Sequence, residues 1–258
     1  MDAHPSQNTT TQSCIPLGEG KETLVADIYN VQGICDYKIR EKTFNWLKSK
    51  RNIDISILTE TKCHLPNKHR EKFKKEWSPN DPDHDSFWSL GTQNSKGVTI
   101  LIHDKFKNRG AKVIDVLEDP NGRFIKMIIE IEGIQYRILA IYAPNDSNQI
   151  DFFTGLYNMI KNDKYDVETL IGGDYNCAQN YLLDRVNCVS ENNDKGLIAL
   201  RHLMQSHNLE DIWRIRNPDS KKYTWFCQNK ASRIDYWLTS VSLNGQIKKI
   251  DSHFFSLF

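Results

Sequence analysis

The chain has 258 residues and a formal net charge of +1, with 39% hydrophobic and 26% charged residues. This balance is typical of a globular protein with one large or two small domains, and it excludes a strongly basic nucleic-acid coat protein. No apolar run approaches the ~18 residues of a membrane span, so we expect no membrane partner.

The first segment, residues 1–22, is polar and rich in Thr, Gln and Ser. That composition predicts a disordered lead-in without the apolar stretch of a signal peptide. The six cysteines form no Cys-x-x-Cys pair. We therefore expect reduced thiols in an intracellular protein of the nucleus or cytoplasm.

Hydrophobic periodicity predicts the order of secondary structure in the rest of the chain. Helical spacing predicts helices over 38–50, 150–160 and 196–207. Short β-type runs predict strands at 24–29, 53–60, 98–102, 112–117, 124–131, 136–142, 168–171, 223–228, 233–239 and 253–258. The charged, proline-containing stretch 64–86 predicts a loop with room for one short helix. We expect one α/β domain over residues 23–258, with two packed sheets and flanking helices.

Several predicted strands end in an acid, an amide or a phenol. Glu60 follows one run, Tyr142 ends another, and Gly172-Gly173 leads into Asp174-Tyr175-Asn176. In an extended stretch Asp174 and Asn176 project to the same side. Carboxylates beside apolar strands need a partner or a metal ion. Hard oxygen ligands favour Mg²⁺ or Mn²⁺ over zinc.

Five short motifs, in one order, carry a resemblance to a known family. They are Asn30-Val31-Gln32-Gly33, Thr59-Glu60-Thr61, Ile141-Tyr142-Ala143-Pro144-Asn145, Gly173-Asp174-Tyr175-Asn176 and Ser232-Arg233-Ile234-Asp235-Tyr236. Together they resemble the motifs of the exonuclease–endonuclease–phosphatase (DNase I-like) family. The resemblance implies a four-layer α/β sandwich, in which two packed mixed β-sheets are flanked by helices.

Three further stretches resemble the apurinic-type endonuclease domains of non-LTR (LINE-type) retrotransposons. They are Gly122-Arg123-Phe124, Leu183-Asp184-Arg185, and the run from Leu209-Glu210-Asp211-Ile212-Trp213-Arg214 through Asn217-Pro218 to Tyr223-Thr224-Trp225. This resemblance implies a DNA-nicking hydrolase that depends on Mg²⁺ or Mn²⁺ and leaves a 3′-hydroxyl end. DNA is then the expected partner, and no obligate protein partner is evident.

The resemblance also implies roles around the metal ion. Glu60 would bind the metal, and Asn30 would help to hold the metal or its waters. Asp251 corresponds to an acid that assists the metal site. Asp174 would activate or orient the attacking water, and Asn176 would orient Asp174 and the phosphate.

Other residues would contact the substrate or the developing charge. Tyr142 would contact the scissile phosphate, while Thr224 and Arg123 would contact the DNA. His253 would stabilise the developing negative charge, and Asp235 would hold His253 in the required tautomer.

The last motif departs from the family pattern. The family has Ser-Asp-His, whereas this chain has Asp251-Ser252-His253. Moving a side chain by one position along a strand reverses the face on which it lies, unless a bulge restores it. A weakened or inactive domain, retained as a nucleic-acid or protein binding module, is therefore one alternative. Because five residues follow His253, we also expect a short last strand and a C-terminally truncated domain.

Other interpretations remain open at this stage. An abasic-site repair endonuclease or a phosphatase of the same fold is a second alternative, and an unrelated α/β domain is a third. Taken singly, Glu60 fits a helix cap, Asp174 a turn after two glycines, and Asp235 an ion-pair partner of Arg233. The basic runs Lys48, Lys50, Arg51 and Lys68–Lys75 fit either solvated faces or phosphate contacts.

Overall fold

A computed structural model describes residues 8–16, 23–64, 67–188, 194–247 and 249–255. Side chains are described for these residues except 8–16, 23, 67–68, 194 and 249–255. The strands, in chain order, are β1 Asn8–Pro16, β2 Thr23–Asn30, β3 Ile55–Thr59, β4 Ser86–Ser89, β5 Val98–Ile102, β6 Lys112–Glu118, β7 Phe124–Ile131, β8 Ile134–Tyr142, β9 Glu168–Asp174, β10 Arg185–Val186, β11 Leu209–Glu210, β12 Trp225–Cys227, β13 Lys230–Ser232, β14 Asp235–Ser240 and β15 Lys249–Phe255. The α-helices are α1 Tyr37–Ser49, α2 Asn67–Trp77, α3 Pro82–Asp85, α4 Asp104–Asn108, α5 Gln149–Lys161, α6 Tyr181–Asp184, α7 Asp194–Ser206 and α8 Ile212–Arg216.

Two six-stranded mixed sheets form the body of the molecule. The first has the order β15-β1-β2-β3-β5-β4, and the second has the order β11-β14-β9-β8-β7-β6. Each contains one parallel pair, β2 with β3 and β8 with β9. Carboxyl ends of parallel strands lie at the same edge, so each sheet brings two strand ends together.

Three apolar clusters show how the layers pack. The central cluster joins the two sheets through residues such as Ile57, Ile100, Met127 and Ile138. A second cluster packs α5 and α7 on the outer face of the second sheet, and a third packs α1 and α2 on the outer face of the first. The predicted α/β architecture with two packed mixed sheets between helices is therefore confirmed.

Burial explains why β3 lacks the alternation expected of a half-exposed strand. All five residues of β3 are buried, because the central core covers one face and α1 and α2 cover the other. In α5 the buried residues Phe153, Leu156 and Ile160 recur at helical spacing, as the sequence predicts.

Two parts of the chain differ from the sequence-based expectation. The stretch 64–86 contains the three-turn helix α2, the short helix α3 and the start of β4, where a loop with one short helix was predicted. Residues 8–16 form β1, within a segment predicted to be disordered. β1 pairs with β2 on one side and with β15 on the other, and its run of β-branched threonines suits a strand. Residues 1–7 and 17–22 lie outside the described residues.

A small antiparallel sheet has the order β10-β13-β12, and its three strands come before β14 in the sequence. Helix α6 leads directly into β10, so the predicted Leu183-Asp184-Arg185 motif spans their junction. No helix in the described part of the chain is long and apolar enough to cross a membrane.

Candidate active site

The first sheet contributes Asn30 and Glu60 to one edge of the molecule. Asn30 is the last residue of β2, and Glu60 directly follows the parallel strand β3. The Asn30 side-chain Nδ2 donates a hydrogen bond to Glu60 Oε1 at 3.1 Å. Lys62 Nζ lies 3.4 Å from Glu60 Oε2. Glu60 has a φ of 52°, a left-handed conformation that turns the chain sharply at the strand end.

The second sheet contributes Tyr142, Asp174 and Asp235 to an edge of its own. Tyr142 ends β8 and is in register with Asp174, which ends the parallel strand β9. Asp235 begins β14 and is in register with Asp174 across the antiparallel pair. Three neighbouring strands therefore place a phenol and two carboxylates side by side.

The strand ends of the two sheets meet at Glu60. The Tyr142 hydroxyl donates to Glu60 Oε1 at 3.5 Å, which links the second sheet to the first. The negative charge of Glu60 also acts on both Asp174 and Asp235. The structure thus gathers Asn30, Glu60, Tyr142, Asp174 and Asp235 into one cluster.

Asn176 is fixed by its main chain and by its side chain. Its backbone N–H donates to Asp174 Oδ1 at 2.8 Å, and its Nδ2 donates to the Ala143 carbonyl at 2.8 Å. Its φ of 46° is one that Asn tolerates better than most residues. The Asn176 backbone therefore contacts the Asp174 carboxylate, and the predicted role of Asn176 in orienting Asp174 and the phosphate stays a prediction.

The two aspartates are almost fully buried, Asp174 at 2% and Asp235 at 4% exposure. Burial raises the pKa of Asp174 well above its usual range, and the neighbouring charge of Asp235 raises it further. Burial also raises the pKa of Asp235 to about 7, against the lowering effect of its hydrogen bond with Thr224. Asp235 Oδ1 has no hydrogen-bond partner among the described residues. Such a pair is expensive to ionise without a nearby cation.

Tyr142 remains a hydrogen-bond donor at neutral pH. Burial is the main reason that its pKa is raised, and the charges of Glu60 and Asp174 raise it further. The Arg123 guanidinium lies 5.3 Å from the Tyr142 ring centre and donates to the Tyr142 carbonyl at 3.4 Å. Partial burial lowers the pKa of Arg123, but a guanidinium keeps its charge at any physiological pH. Tyr142 and Arg123 together provide a donor and a positive charge beside the carboxylates.

Thr224 lies behind Asp235. Its Oγ1 accepts hydrogen bonds from the backbone N–H groups of Ile234 and Asp235, both at 3.0 Å. Thr224 is buried, and its side chain contacts the backbone segment that carries Asp235. Its predicted contact with DNA stays a prediction.

A buried ion network supports this part of the site, and the sequence analysis assigned it no role. Arg233 Nε donates to Asp184 Oδ1 at 2.8 Å, and Arg233 also pairs with Asp211. Arg214 reaches the same Asp184 oxygen at 2.5 Å. Arg233 thus pairs with Asp184 and Asp211 instead of Asp235. The Leu183-Asp184-Arg185 motif and the Asp211-containing stretch were the available signals.

Asp119 is a second residue that the sequence analysis missed. Its Oδ2 accepts from the Arg123 backbone N–H at 2.9 Å, and its Oδ1 accepts from the Asn121 N–H at 3.1 Å. Asp119 therefore fixes the turn before β7, from which Arg123 extends. The pattern Asp-x-x-Gly in that turn was the only sequence signal.

Asp251 and His253 belong to β15, where His253 is in register with Thr10 and Asp251 with Gln12. Their side chains lie outside the described part of the structure. The metal-binding role of Asp251 and the charge-stabilising role of His253 therefore stay predictions.

The donors in the cluster suit a hard divalent cation. Glu60 offers a carboxylate and Asn30 an amide oxygen, and the unpartnered buried oxygen of Asp235 lies in the same cluster. Oxygen donors of this kind are those that Mg²⁺ and Mn²⁺ prefer. Among the residues whose side chains are described, no three His, Cys, Asp or Glu side chains meet closely enough to form a metal cage. A metal here would keep several waters, as Mg²⁺ commonly does.

Comparison with solved structures identifies the architecture. The AP endonuclease LMAP from Leishmania major superimposes with a TM-score of 0.62 and 15% identity, over 85% of this chain and 80% of that one. An AP endonuclease from Archaeoglobus fulgidus gives 0.62 and 18%, over 86% and 88%. The chain has the fold of the AP endonucleases. The APE2 catalytic domain of Xenopus laevis, at 0.62 and 17% over 86% and 83%, shares this AP endonuclease fold.

One curated relative is similar in sequence as well. The chain is 28% identical over 173 residues to the transposon TX1 uncharacterized 149 kDa protein of Xenopus laevis. The match covers 66% of this chain but only 12% of that protein's length. No protein-family model matches the chain.

Proposed function

We propose that the chain is a divalent-metal-dependent endonuclease that nicks DNA in the manner of a retrotransposon endonuclease. The observation that carries the proposal is the meeting of Asn30 and Glu60 with Tyr142, Asp174 and Asp235, all at strand ends of an AP endonuclease fold. The sequence similarity to a transposon protein supports the retrotransposon type.

Mg²⁺ or Mn²⁺ is the proposed cofactor. Glu60 and Asn30 would hold it, and Asp251 is the further ligand proposed from the sequence. The ion would neutralise charge on the scissile phosphate and would increase the acidity of a bound water.

The reaction is hydrolysis of a phosphodiester bond. The oxygen of a water molecule forms a bond to phosphorus, and the bond between phosphorus and the 3′ oxygen breaks. The products are a 3′-hydroxyl and a 5′-phosphate. Asp174 accepts the water's proton in this scheme, because its carboxylate is held in place by the Asn176 backbone N–H beside the other groups of the cluster.

Three other groups act on the phosphate. The Tyr142 hydroxyl keeps its proton and donates to a phosphate oxygen. Arg123 offers a positive charge beside Tyr142, because its guanidinium lies 5.3 Å from the centre of the Tyr142 ring. His253 stabilises the charge that develops in the transition state, with Asp235 as its partner.

Nicking of supercoiled plasmid tests the proposal. We expect relaxation in Mg²⁺ or Mn²⁺ and none in EDTA. Asp174→Asn keeps the shape of the side chain but removes its basicity, so it should slow nicking about 100-fold or more. Asp151→Asn, at an exposed position of α5, is the matched control and should nick at the wild-type rate.

Two outcomes would redirect the proposal. Salt-sensitive binding of DNA without cleavage in either metal would favour a binding module, as the Asp251-Ser252-His253 order allows. Because the solved structures of this fold include AP endonucleases, duplex with an abasic site is the informative second substrate. Cleavage of that duplex with no nicking of intact DNA would favour repair over retrotransposon nicking.

A further inference from the structure

A polar cavity lies at the end of the first sheet opposite to the candidate active site. Its volume is about 830 Å³, and it is lined by the end of α1, the loop before β3, the end of β5 and helix α4. Ile53 at this cavity precedes β3, whereas Glu60 follows it. At about 3.3 Å per residue, the cavity lies roughly 20 Å from the candidate active site. It is therefore a separate feature of the molecule.

The lining of this cavity is strongly basic. Six basic side chains contribute to it, namely Lys48, Lys50, Arg51, Lys105, Lys107 and Arg109. The two acidic residues in the lining are Asp85 and Asp104. A concave surface with this imbalance concentrates anions.

Buried acids neutralise part of this charge. Lys105 and Arg109 both pair with the buried Asp54 at 3.0 Å, and Lys107 pairs with Asp85 at 2.6 Å. Lys50 approaches Asp27 at 3.9 Å.

Lys48 and Arg51 complete the basic lining. Across the described part of the chain, neither of them forms an ion pair with an acidic side chain. These two are therefore the cations left for a ligand.

Lys48 is also held in place. Its Nζ donates to the Glu76 carbonyl at 3.2 Å and lies 5.2 Å from the centre of the Trp77 ring. Lys48 and Lys50 are partly buried, and the loss of hydration lowers the pKa of each ammonium group. An anion bound beside them would replace the lost hydration.

The remaining wall of the cavity is mixed, with Asn52, Ser78, Asn80 and Asn108 beside apolar residues. Ile53, Trp77 and Ile102 contribute to it, beneath the basic side chains. Its volume falls within the ~300–1,000 Å³ of cavities that bind small organic ligands. A phosphate ester with an attached base matches both parts of the lining, because phosphate suits lysine and arginine and the polar edge of a base can exchange hydrogen bonds with amide and hydroxyl side chains.

We propose that this cavity binds the phosphate groups of a nucleotide, either free or at the end of a nucleic-acid strand, through Lys48 and Arg51. The site is distinct from the proposed cleavage site and needs no metal. The expected ligand carries more than one negative charge, since two cations that form no ion pair with an acidic side chain in the described part of the chain line the cavity.

Isothermal titration calorimetry on the whole chain in EDTA tests the proposal. The probes are ADP, inorganic tripolyphosphate and a short 5′-phosphorylated single-stranded oligonucleotide. We expect ADP or the oligonucleotide to bind at one site per chain. The double variant Lys48→Gln/Arg51→Gln should weaken that binding about 10- to 100-fold, because it removes two charged hydrogen-bond donors. The tighter of the two probes identifies the free or the strand-borne source of the phosphate.

Two controls make the result decisive. Lys112→Gln/Lys161→Gln removes two exposed charges from β6 and α5 and should bind as the wild type does. Asp174→Asn should also bind normally, since the cavity is remote from that residue. The proposal is wrong if no probe binds, if the Lys48/Arg51 variant binds as tightly as the wild type, or if either control loses binding equally.

Discussion

Thr224 shows how a buried hydroxyl positions a charged residue. One oxygen accepts from two consecutive backbone N–H groups, those of Ile234 and Asp235. Thr224 itself is tied back to the Ser232 carbonyl by its backbone N–H at 2.9 Å. The start of β14 therefore depends on this single side-chain oxygen.

Replacing Thr224 by valine should be costly because it leaves both N–H groups buried without this acceptor. We expect Thr224→Val to lower the free energy of unfolding by about 2 kcal/mol or more and to reduce nicking. Thr224→Ser keeps the oxygen and is the matched control. Denaturant titration of both variants measures the difference, and equal stability of the two would contradict this account.

His103 is a buried histidine that the candidate site does not use. Its Nε2 lies 2.8 Å from Ser56 Oγ, and its ring packs edge-on against Trp77 at 5.1 Å. Burial lowers the pKa of His103 to about 4 from 6.5. Asp104 opposes this shift, while Lys50 and Lys48 add to it.

The lowered pKa of His103 makes the free energy of unfolding depend on pH in one direction. Between about pH 6.5 and 4 the unfolded chain binds a proton at His103 that the folded chain does not, so stability falls as the pH falls. We expect a loss of up to about 3 kcal/mol from this residue, and His103→Gln should lack it. Urea unfolding near neutral and near about pH 4.5 measures it as a wild-type minus variant difference. A pH-independent difference would contradict the prediction.

The pKa of Asp27 is shifted upward instead of downward. Asp27 is present in both the wild type and the His103→Gln variant. Burial raises its pKa to about 6, so its contribution to stability is lost as the pH rises through that value. Subtracting the variant from the wild type removes this effect, which leaves the contribution of His103.

At the scale of elements, close contact between β8 and β9 depends on Gly173. A Cβ added there would lie 2.0 Å from the Ile141 carbonyl oxygen, and the φ of Gly173 is +145°. Both facts exclude any side chain at this position without movement of the strand. The glycine precedes Asp174, so the strand pairing and the position of the carboxylate are coupled.

Two glycine-to-alanine variants separate this effect from the general effect of glycine on the unfolded chain. Gly173→Ala should lower the free energy of unfolding by about 3 kcal/mol or more, because the strands must separate. Gly155→Ala lies in α5 with no atom within 4 Å of its added Cβ. It should raise stability by about 0.5–1 kcal/mol. Thermal unfolding of both gives the answer, and similar midpoints would refute the argument.

The helix α2 illustrates why some elements escape prediction from sequence. Its buried apolar residues Phe73 and Trp77 are only two, four positions apart, and lysines surround them. Two residues give a weak periodic signal. The prolines at 66, 79 and 82 lie outside Asn67–Trp77 in the sequence, so none of them interrupts the helix.

Much of the candidate site was predictable because each residue lies at the end of its own strand. Glu60, Tyr142 and Asp174 follow apolar runs, which a linear sequence displays directly. The network of Arg233 was not predictable, because its partners Asp184 and Asp211 are 49 and 22 residues away. Pairing over such separations is set by the fold and not by local pattern.

At the scale of the whole molecule, β1 joins two strands from opposite ends of the described chain. It pairs with β2 over residues 10–16 and with β15 over residues 8–14 on its other side. Residues 8–16, which lie in the segment expected to be unstructured, therefore form part of the first sheet. Composition alone misses this, because an open edge at β2 can recruit a polar but β-branched segment.

Truncation tests the contribution of β1. Deleting residues 1–16 removes the strand between β2 and β15, and we expect the midpoint of thermal unfolding to fall by about 5 °C or more, equivalent to about 2 kcal/mol. Deleting residues 1–7 leaves β1 in place and is the matched control. Equal midpoints for the two truncated chains would show that β1 contributes nothing to stability.

The pairing of β1 with β15 also bears on the order in which the protein folds. Strands β6, β7 and β8 are consecutive antiparallel neighbours, so they close short loops and should form early. The first sheet needs the longest loop closure in the molecule, which carries the largest entropic delay. Strand β15, which carries Asp251 and His253, should therefore join the first sheet last. A folding chain would acquire its candidate site in two kinetic stages, with the contribution of β15 completed last.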